Sequence, residues 1–341
     1  MPENVFVRLR PTGPWRIGPD SGDRDRVERI YHSDTLYSAV SHAMARLGRL
    51  EEWLAATATA AEPAVRFSSC FPFHGDTVYV TPPRSLWPPP ASSKVRWKGA
   101  KFAPVTVVES LVSGKGVNEE GWAVDGGSET LIAMGTQGPF QVSVRSSAAV
   151  DRAGAGVAPH SSACLEFAPN AGLWAMAAFA SEAAREAWKE PVAGALRLLA
   201  DSGFGGERSR GWGRAEIEFS EPPPALAARE TDEAGERAWW LLSLFQPGAA
   251  DSIDWKRGNY AVAARGGRVE SEAGWGLAKR GSRMIAEGSV LICTGPPRGA
   301  ATDVAPPGFA HPVYRWGHAV AVPIPVKVEP SRVGPATEAA A

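Results

Sequence analysis

The chain predicts an α+β fold, and three observations carry that expectation. Apolar residues alternate with period two in short runs such as Val5, Val7, Leu9 and Ala215, Ile217, Phe219. They recur at three- and four-residue spacing in longer runs, Leu36, Val40, Ala43, Met44, Leu47 and Val192, Leu196, Leu199. With insertions omitted, the first 220 residues read strand, helix, strand, then strands, helix, glycine-rich loop, strand. That β-α-β-β-α-β order is the order of a ferredoxin-like sheet.

Composition narrows the class. A chain of 341 residues is long enough for two ordinary domains, and 44% hydrophobic with 21% charged residues supports a packed core. The net charge of −1 excludes a globally basic nucleic-acid binder, so any polyanion site must be a local patch. Cys70, Cys164 and Cys293 are far apart, odd in number and without C-x-x-C spacing, which fits a reducing cytoplasm and no zinc site. The histidines form no His-Glu-x-x-His run, so no metal or other cofactor is expected. Without a signal-like N-terminal stretch or a run of about 18 apolar residues, a cytoplasmic protein with no membrane partner is expected.

The elements follow in order. Val5, Val7 and Leu9 alternating with Phe6, Arg8 and Arg10 predict a first strand with a polar outer side. Tyr31-His32-Ser33-Asp34-Thr35 opens a helix, with Ser33 or Asp34 as N-cap and Gly48 at its end. A second helical piece spans Leu50 to Thr59, and Asp76–Val80 is a short strand. Five prolines in 82–90 exclude an interior helix or strand. Lys94, Arg96, Lys98 and Lys101 then alternate through Val108 with Trp97 and Phe102 interleaved, a basic ribbon suited either to single-stranded nucleic acid or to a solvated, lysine-protected edge. Residues 113–138 are glycine-rich and polar, and predict a flexible insertion. Gln141–Arg145 predicts a strand, and Ser162–Phe167 with Gly172–Phe179 a strand pair joined at Pro169–Gly172. Ser181 caps a helix to about Glu190, and Pro191 starts the next.

Glu221-Pro222-Pro223-Pro224 marks the domain boundary, giving an N-terminal domain over 1–220 with an insertion at about 82–150 and a second domain over 221–330. The second half is strand-rich. It contains an apolar strand at Ala238–Phe245, a hairpin around Arg265-Gly266-Gly267-Arg268, strands near Lys279–Met284 and Ser289–Cys293, and a last strand at Val313–Val322. Residues 331–341 predict a disordered tail.

The most unusual stretch is Gly203–Arg214, Gly-Phe-Gly-Gly-Glu-Arg-Ser-Arg-Gly-Trp-Gly-Arg. A helix precedes it and a strand follows, the reverse of a P-loop. Trp212 and Gly213 stand where a Walker motif needs Lys and Ser or Thr, and Arg208 replaces the third glycine of a dinucleotide fingerprint. Glycine permits close backbone approach and positive φ. Arginine offers a planar fork to phosphate and stacks on bases. The combination describes either a loop lying against a polyanion or a glycine-rich turn with solvated arginines.

Taken together, His32-Ser33-Asp34-Thr35-Leu36, Phe71-Pro72-Phe73-His74-Gly75-Asp76-Thr77, Ala149-Val150-Asp151-Arg152, the Gly203–Arg214 loop, Arg283–Ser289 and His311–Gly317 resemble, in this order, the RAMP superfamily of CRISPR proteins. Within it they resemble the subunits of type III-A Csm complexes that cap the crRNA 5′ handle. The resemblance covers most of the chain. It implies two ferredoxin-like (RRM-like) domains, a glycine-rich loop across an RNA-binding cleft, and an inserted thumb hairpin projecting through the guide–target duplex. The implied partners are crRNA through its 5′ handle, target RNA, the large polymerase-like subunit and the backbone RAMP subunit, in antiviral defence. The implied RNA-binding residues are His32, Ser33, Lys94, Arg96, Lys98, Arg145, Arg152, Gly203, Gly205, Gly206, Arg208, Ser209, Arg210 and Arg214, with no catalytic residue. The glycine-rich 113–138 insertion and the low pI depart from the family pattern.

Two other functions remain open from the residues. Some relatives cut precursor crRNA without metal, using a histidine as acid or base, and His32 or His74 would serve. Thirteen tryptophans, which chiefly fill cores, would also suit a glycan-binding surface, although that leaves the arginine-bearing loop unexplained.

Overall fold

A computed structural model describes residues 4–19, 21–89, 95–150, 154, 156–226, 237–271 and 273–326. Strand β1 (Val5–Pro11) leads to helix α1 (Ser33–Arg46), helix α2 (Leu50–Thr57) and strands β2 (Val65–Phe67), β3 (Phe71–His74) and β4 (Thr77–Val80). Next come β5 (Ala103–Pro104), α3 (Val105–Val112), β6 (Trp122–Asp125), β7 (Thr130–Ala133), β8 (Phe140–Val150), β9 (Val157–Phe167), β10 (Ala171–Phe179), α4 (Glu182–Ser202) and β11 (Ala215–Ser220). The main sheet runs β11-β1-β10-β3-β4-β5 with antiparallel neighbours, and β2 also pairs with β10. β10 is apolar on both faces and almost wholly buried, so it takes a central place. Helices α1 and α4 pack on each other and against this sheet through Leu36, Val40 and Met44 from one and Val192, Leu196 and Leu199 from the other.

Several expectations are corrected here. The outer side of β1 is not solvated, because Phe6 stacks on Trp174 at 4.9 Å and Arg8 lies over Phe6 and Phe73. β9 and β10 follow one another through the Pro169–Gly172 connection but do not pair: β9 leaves to pair with β8 over their full length, from Phe140 opposite Phe167 to Val150 opposite Val157. The basic stretch is no strand. It forms a 3-10 turn at Val95–Gly99 that seats Trp97 in the core, and its continuation is α3. Residues 113–138 contain the β6–β7 hairpin, anchored by buried Leu131 and Ile132 and closed by the Asp125 carboxylate accepting from Ser128 N and Oγ. Helix α4 runs unbroken through Pro191, since the buried stripe on either side outweighs one missing hydrogen bond. Its Ser181 cap is formed, with Oγ accepting from Ala184 N at 3.1 Å.

The second half holds β12 (Arg237–Leu241), β13 (Val262–Arg265), β14 (Arg268–Ser271), β15 (Gly274–Ala278), β16 (Ser282–Ile285), β17 (Val290–Cys293), β18 (Thr302–Asp303), β19 (Tyr314–Arg315) and β20 (Ala321–Ile324). No α-helix occurs among the described residues beyond Ser202. β12 is central in a β17-β12-β20 sheet, as its apolar run predicts, but the strand ends at Leu241 and Leu242–Phe245 continues as buried irregular backbone. The hairpin expected around Arg265–Arg268 does not form: β13 pairs with β16, and β14 with β15. The expected last strand splits into β19 and β20 around the buried run Trp316–Val320.

One hydrophobic cluster joins the halves, running from Phe6, Trp15 and Trp53 to Trp240, Leu242, Trp316 and Val320. No helix of the described residues is long and apolar enough to cross a membrane.

Candidate nucleic-acid interface

The Gly203–Arg214 loop is held from inside. Phe204 stacks on Trp15 at 5.1 Å and meets Tyr31 edge-on at 6.0 Å. Gly206 N donates to Arg16 O, Phe204 N to Gly213 O, and Gly213 N to Pro14 O, each at 2.9 Å. Gly205 and Gly213 have φ of 71° and 80°, and a Cβ on either would collide with the carbonyl oxygen of Arg16 or Phe204. Their glycine requirement is therefore met by this chain's own backbone. Gly206 likewise spends its N–H internally, on the Arg16 carbonyl. Arg16 anchors the same region: its buried guanidinium donates to the carbonyls of Asp23, Arg24 and Ala163 at 2.8–2.9 Å.

What the loop presents outward is the 3-10 turn Arg208-Ser209-Arg210, each residue exposed. Arg208 Nη2 lies 3.1 Å from Glu270 Oε1 on β14. Arg210 bonds Ser147 Oγ at 3.2 Å and His160 Nε2 at 2.9 Å, both near the middle of the β8–β9 hairpin, and pairs with Glu207 at 3.3 Å. Arg145 lies two residues from Ser147 on the same hairpin face, paired with Glu166 at 2.6 Å. On α1, His42 feels Glu270, Lys279 and Arg208; burial chiefly lowers its pKa. A continuous strip thus links the hairpin, the loop, β14 and α1. Its arginines pair with the solvent-accessible acids Glu270, Glu207 and Glu166, pairs worth about 0–1 kcal/mol each. A phosphate contact of about 1.5–3 kcal/mol would displace them.

His32 and Ser33 are elsewhere, which is the main correction to the predicted site. The N-cap of α1 is His32, without a side-chain cap bond. Ser33 is completely buried: its N–H donates to Ser69 Oγ at 2.8 Å and its Oγ accepts from Leu244 N at 3.0 Å. Asp34 accepts two bonds from Arg265 at 3.1 Å and one from Arg315 Nη1 at 2.6 Å. Glu287 accepts from His32 Nδ1 at 2.7 Å and from Ser69 Oγ. Glu28 lies 3.0 Å from the other ring nitrogen of His32. Capping groups that sequence assigns to the helix are used instead to weld the two halves. Burial alone would lower the His32 pKa, but Glu287 and Glu28 override it and push it up to about 10. Burial would raise the Asp34 pKa, but Arg265 and Arg315 hold it well below the usual carboxylate range.

Of the remaining predicted residues, Gly203 is buried and turns the chain out of α4, with φ 98°. Arg214 is exposed beside the turn. Lys98 is exposed on its own 3-10 turn, and Arg96 belongs to that turn. Lys101 pairs with Glu129 at 3.2 Å by the β6–β7 hairpin. Lys94 and Arg152 lie outside the described residues. Sequence reasoning missed Ser147, His160, Glu270 and Trp275. The only signal for the last is its Gly274-Trp275-Gly276 setting.

Comparison with known proteins fits this picture. Residues 235–324 match the CRISPR Csm4 C-terminal domain family. The CRISPR system Cms protein Csm4 of Thermococcus onnurineus (strain NA1) is 25% identical over 330 residues, covering 93% of this chain and 95% of the relative. The fold is shared with a Csm3-Csm4 subcomplex of the type III-A CRISPR-Cas interference complex (TM-score 0.64, 15% identity, 94% of this chain and 99% of the other). It is shared also with a Csm1-Csm4 cassette in complex with cA4 (TM-score 0.57, 19% identity, 96% and 100%). Over residues 235–324 in sequence, and over most of its length in fold, the chain is similar to the Csm4 proteins of type III CRISPR systems. More particularly, the chain is Csm4-like, as the resemblance read from its motifs implies.

Proposed function

We propose that this chain is a non-catalytic RNA-binding subunit that holds the repeat-derived 5′ handle of a crRNA and seats the large polymerase-like subunit and the backbone subunit. The observation that carries the proposal is the Arg208-Ser209-Arg210 turn, pushed outward by a rigid glycine-bearing base beside the β8–β9 hairpin. Single-stranded RNA is gripped by phosphate contacts and stacking, and a local cationic strip suffices in a chain of near-zero net charge. β8 and β9 are eleven residues each, and their distal portion, Ala148–Val150 with Val157–Pro159, is apolar and exposed. We read that hairpin as the thumb that meets the guide–target duplex.

β1, α1, β2 with β3, β10, α4 and β11 are read as the first ferredoxin-like unit, and the β17-β12-β20 sheet as the centre of the second. The partner proposal leans on relatives crystallised as Csm1-Csm4 and Csm3-Csm4 assemblies. Against the nuclease alternative, a His32 held as imidazolium between two carboxylates is a poor general base near neutral pH. His74 bonds the Gln137 carbonyl.

The test is Arg208→Ala with Arg210→Ala. The double variant should melt like the parent, because exposed side chains away from special features usually change stability by within about 0.5 kcal/mol. Its affinity for handle RNA should fall by about 3–6 kcal/mol if both charge-assisted contacts are lost. Retention of the crRNA 5′ end at parental affinity would remove the loop from the RNA site. Discrete, His32-dependent cleavage of repeat RNA without metal would replace the binding proposal with the nuclease.

A further inference from the structure

Trp275 is the most exposed large apolar side chain among the described residues, at 73%. It is presented by a built device. In the β14–β15 hairpin the register shifts between Arg268 and Glu270, Gly276 takes φ 73°, and Arg268 Nη1 donates to the Gly276 carbonyl at 2.6 Å. Such a bulge bends its strand and re-aims a side chain. Trp275 stands directly opposite Glu270, and cross-strand partners share a face. Glu270 is the carboxylate that holds Arg208 at 3.1 Å, and His42 on α1 lies within electrostatic reach of Glu270, Lys279 and Arg208. An indole held in water thus borders the loop's arginines, on the surface where Glu270 joins the hairpin to Arg208.

The geometry points to Trp275 as a base-stacking platform for single-stranded RNA, one side chain away from the phosphate-binding turn. This rests on the proposal that the loop holds crRNA. A protein partner would also cover an exposed indole, but the adjoining Arg208 and Arg210, held in solvent-accessible ion pairs, favour a polyanion. Stacking accepts every base through its π-face, so the platform holds one unpaired nucleotide in place and reads no letter.

The experiment uses the full chain and a fluorescein-labelled single-stranded RNA carrying the repeat-derived handle, followed by anisotropy. A companion set of RNAs carries one abasic nucleotide each. Trp275→Ala should melt as the parent does and bind the intact RNA about 5- to 150-fold more weakly. Trp275→Phe should restore most of the affinity. One abasic position should weaken the parent by a similar factor and cost the alanine variant nothing further, because the base and the indole are each other's partner.

Parental affinity in Trp275→Ala would overturn the inference, as would equal losses at every abasic position in both proteins. Normal RNA binding with lost capture of the large subunit would assign the indole to a protein face instead. The Arg208→Ala, Arg210→Ala protein separates the two levels. If it loses RNA while Trp275→Ala does not, only the stacking inference falls. If it keeps RNA, the loop reading beneath it falls too.

Discussion

Asp34 sits 1% exposed between two arginines that are themselves buried, and its position in the first turn of α1 made it read as a helix cap. Asp34→Asn would remove the carboxylate that Arg265 and Arg315 share, leaving Arg265 the more distant Glu28 at 3.7 Å. Breaking a buried pair in this way costs about 3–5 kcal/mol, so urea unfolding should show a loss of that size. A loss below about 1 kcal/mol would mean that the arginines find other acceptors.

The neighbouring His32 makes stability depend on pH with a definite sign. Its folded pKa, about 10, lies above the ordinary 6.5, so the folded state holds its proton more tightly than the unfolded state. The stabilisation is fully present below about pH 6.5 and is lost as pH rises toward 10. Glu287 is opposite: burial would raise its pKa, His32 and Ser69 lower it, and its contribution disappears as pH falls through the folded value. Between pH 6.5 and 8.5, below the range where buried tyrosines and cysteines enter, the melting temperature should therefore decline. His32→Gln should flatten that decline, and an unchanged slope would place its origin elsewhere.

At the scale of the element, the glycine-rich loop divides its glycines by role. Gly205 combines positive φ with a carbonyl where a Cβ would stand, whereas Gly211 has φ 78° and open space. Gly211→Ala should cost about 1–2 kcal/mol, the penalty of left-handed backbone. Gly205→Ala should cost more, since the Arg16 backbone must also move. Chemical denaturation that ranks the two in reverse would contradict the packing described. The loop, α1, α4, β1, β10 and β11 were legible because period and punctuation are local properties. The β9–β10 pairing was misread because two adjacent apolar runs look like a hairpin. Only competition for the central position in the sheet sends β9 to β8 and lets the apolar β10 pair with β1, β2 and β3.

At the scale of the whole molecule, the halves share one core although their sheets are separate. Leu242 lies at the junction: its N–H donates to Val320 O, its carbonyl accepts from Ser69 N, and its side chain is fully buried. Leu242→Asp should give insoluble protein, because an unpaired charge cannot be buried cheaply. Leu242→Ala should remain soluble, lose about 2–5 kcal/mol, and unfold in one calorimetric transition. Two separated transitions would show that the halves fold independently.

Two identical tripeptides mark the boundary between what the chain's own letters determined and what packing decided. Residues 211–213 and 274–276 both read Gly-Trp-Gly. The letters alone determined an α+β chain, the first sheet's element order, the exposed arginines of the loop and the family resemblance, because each depends on neighbours a few residues away or on motif order. Trp212 ends 8% exposed and Trp275 73% exposed. Nothing local separates them. Trp212 lies in the loop that docks on residues 12–16, some 200 positions earlier, while Trp275 lies on a two-stranded hairpin whose outer face no described element covers. The same distance in sequence took His32 and Ser33, expected at the RNA surface, and Asp34, expected as a helix cap, into the seam with Leu244, Arg265, Glu287 and Arg315. Burial and pairing depend on which distant segment arrives, and that is a property of the folded chain.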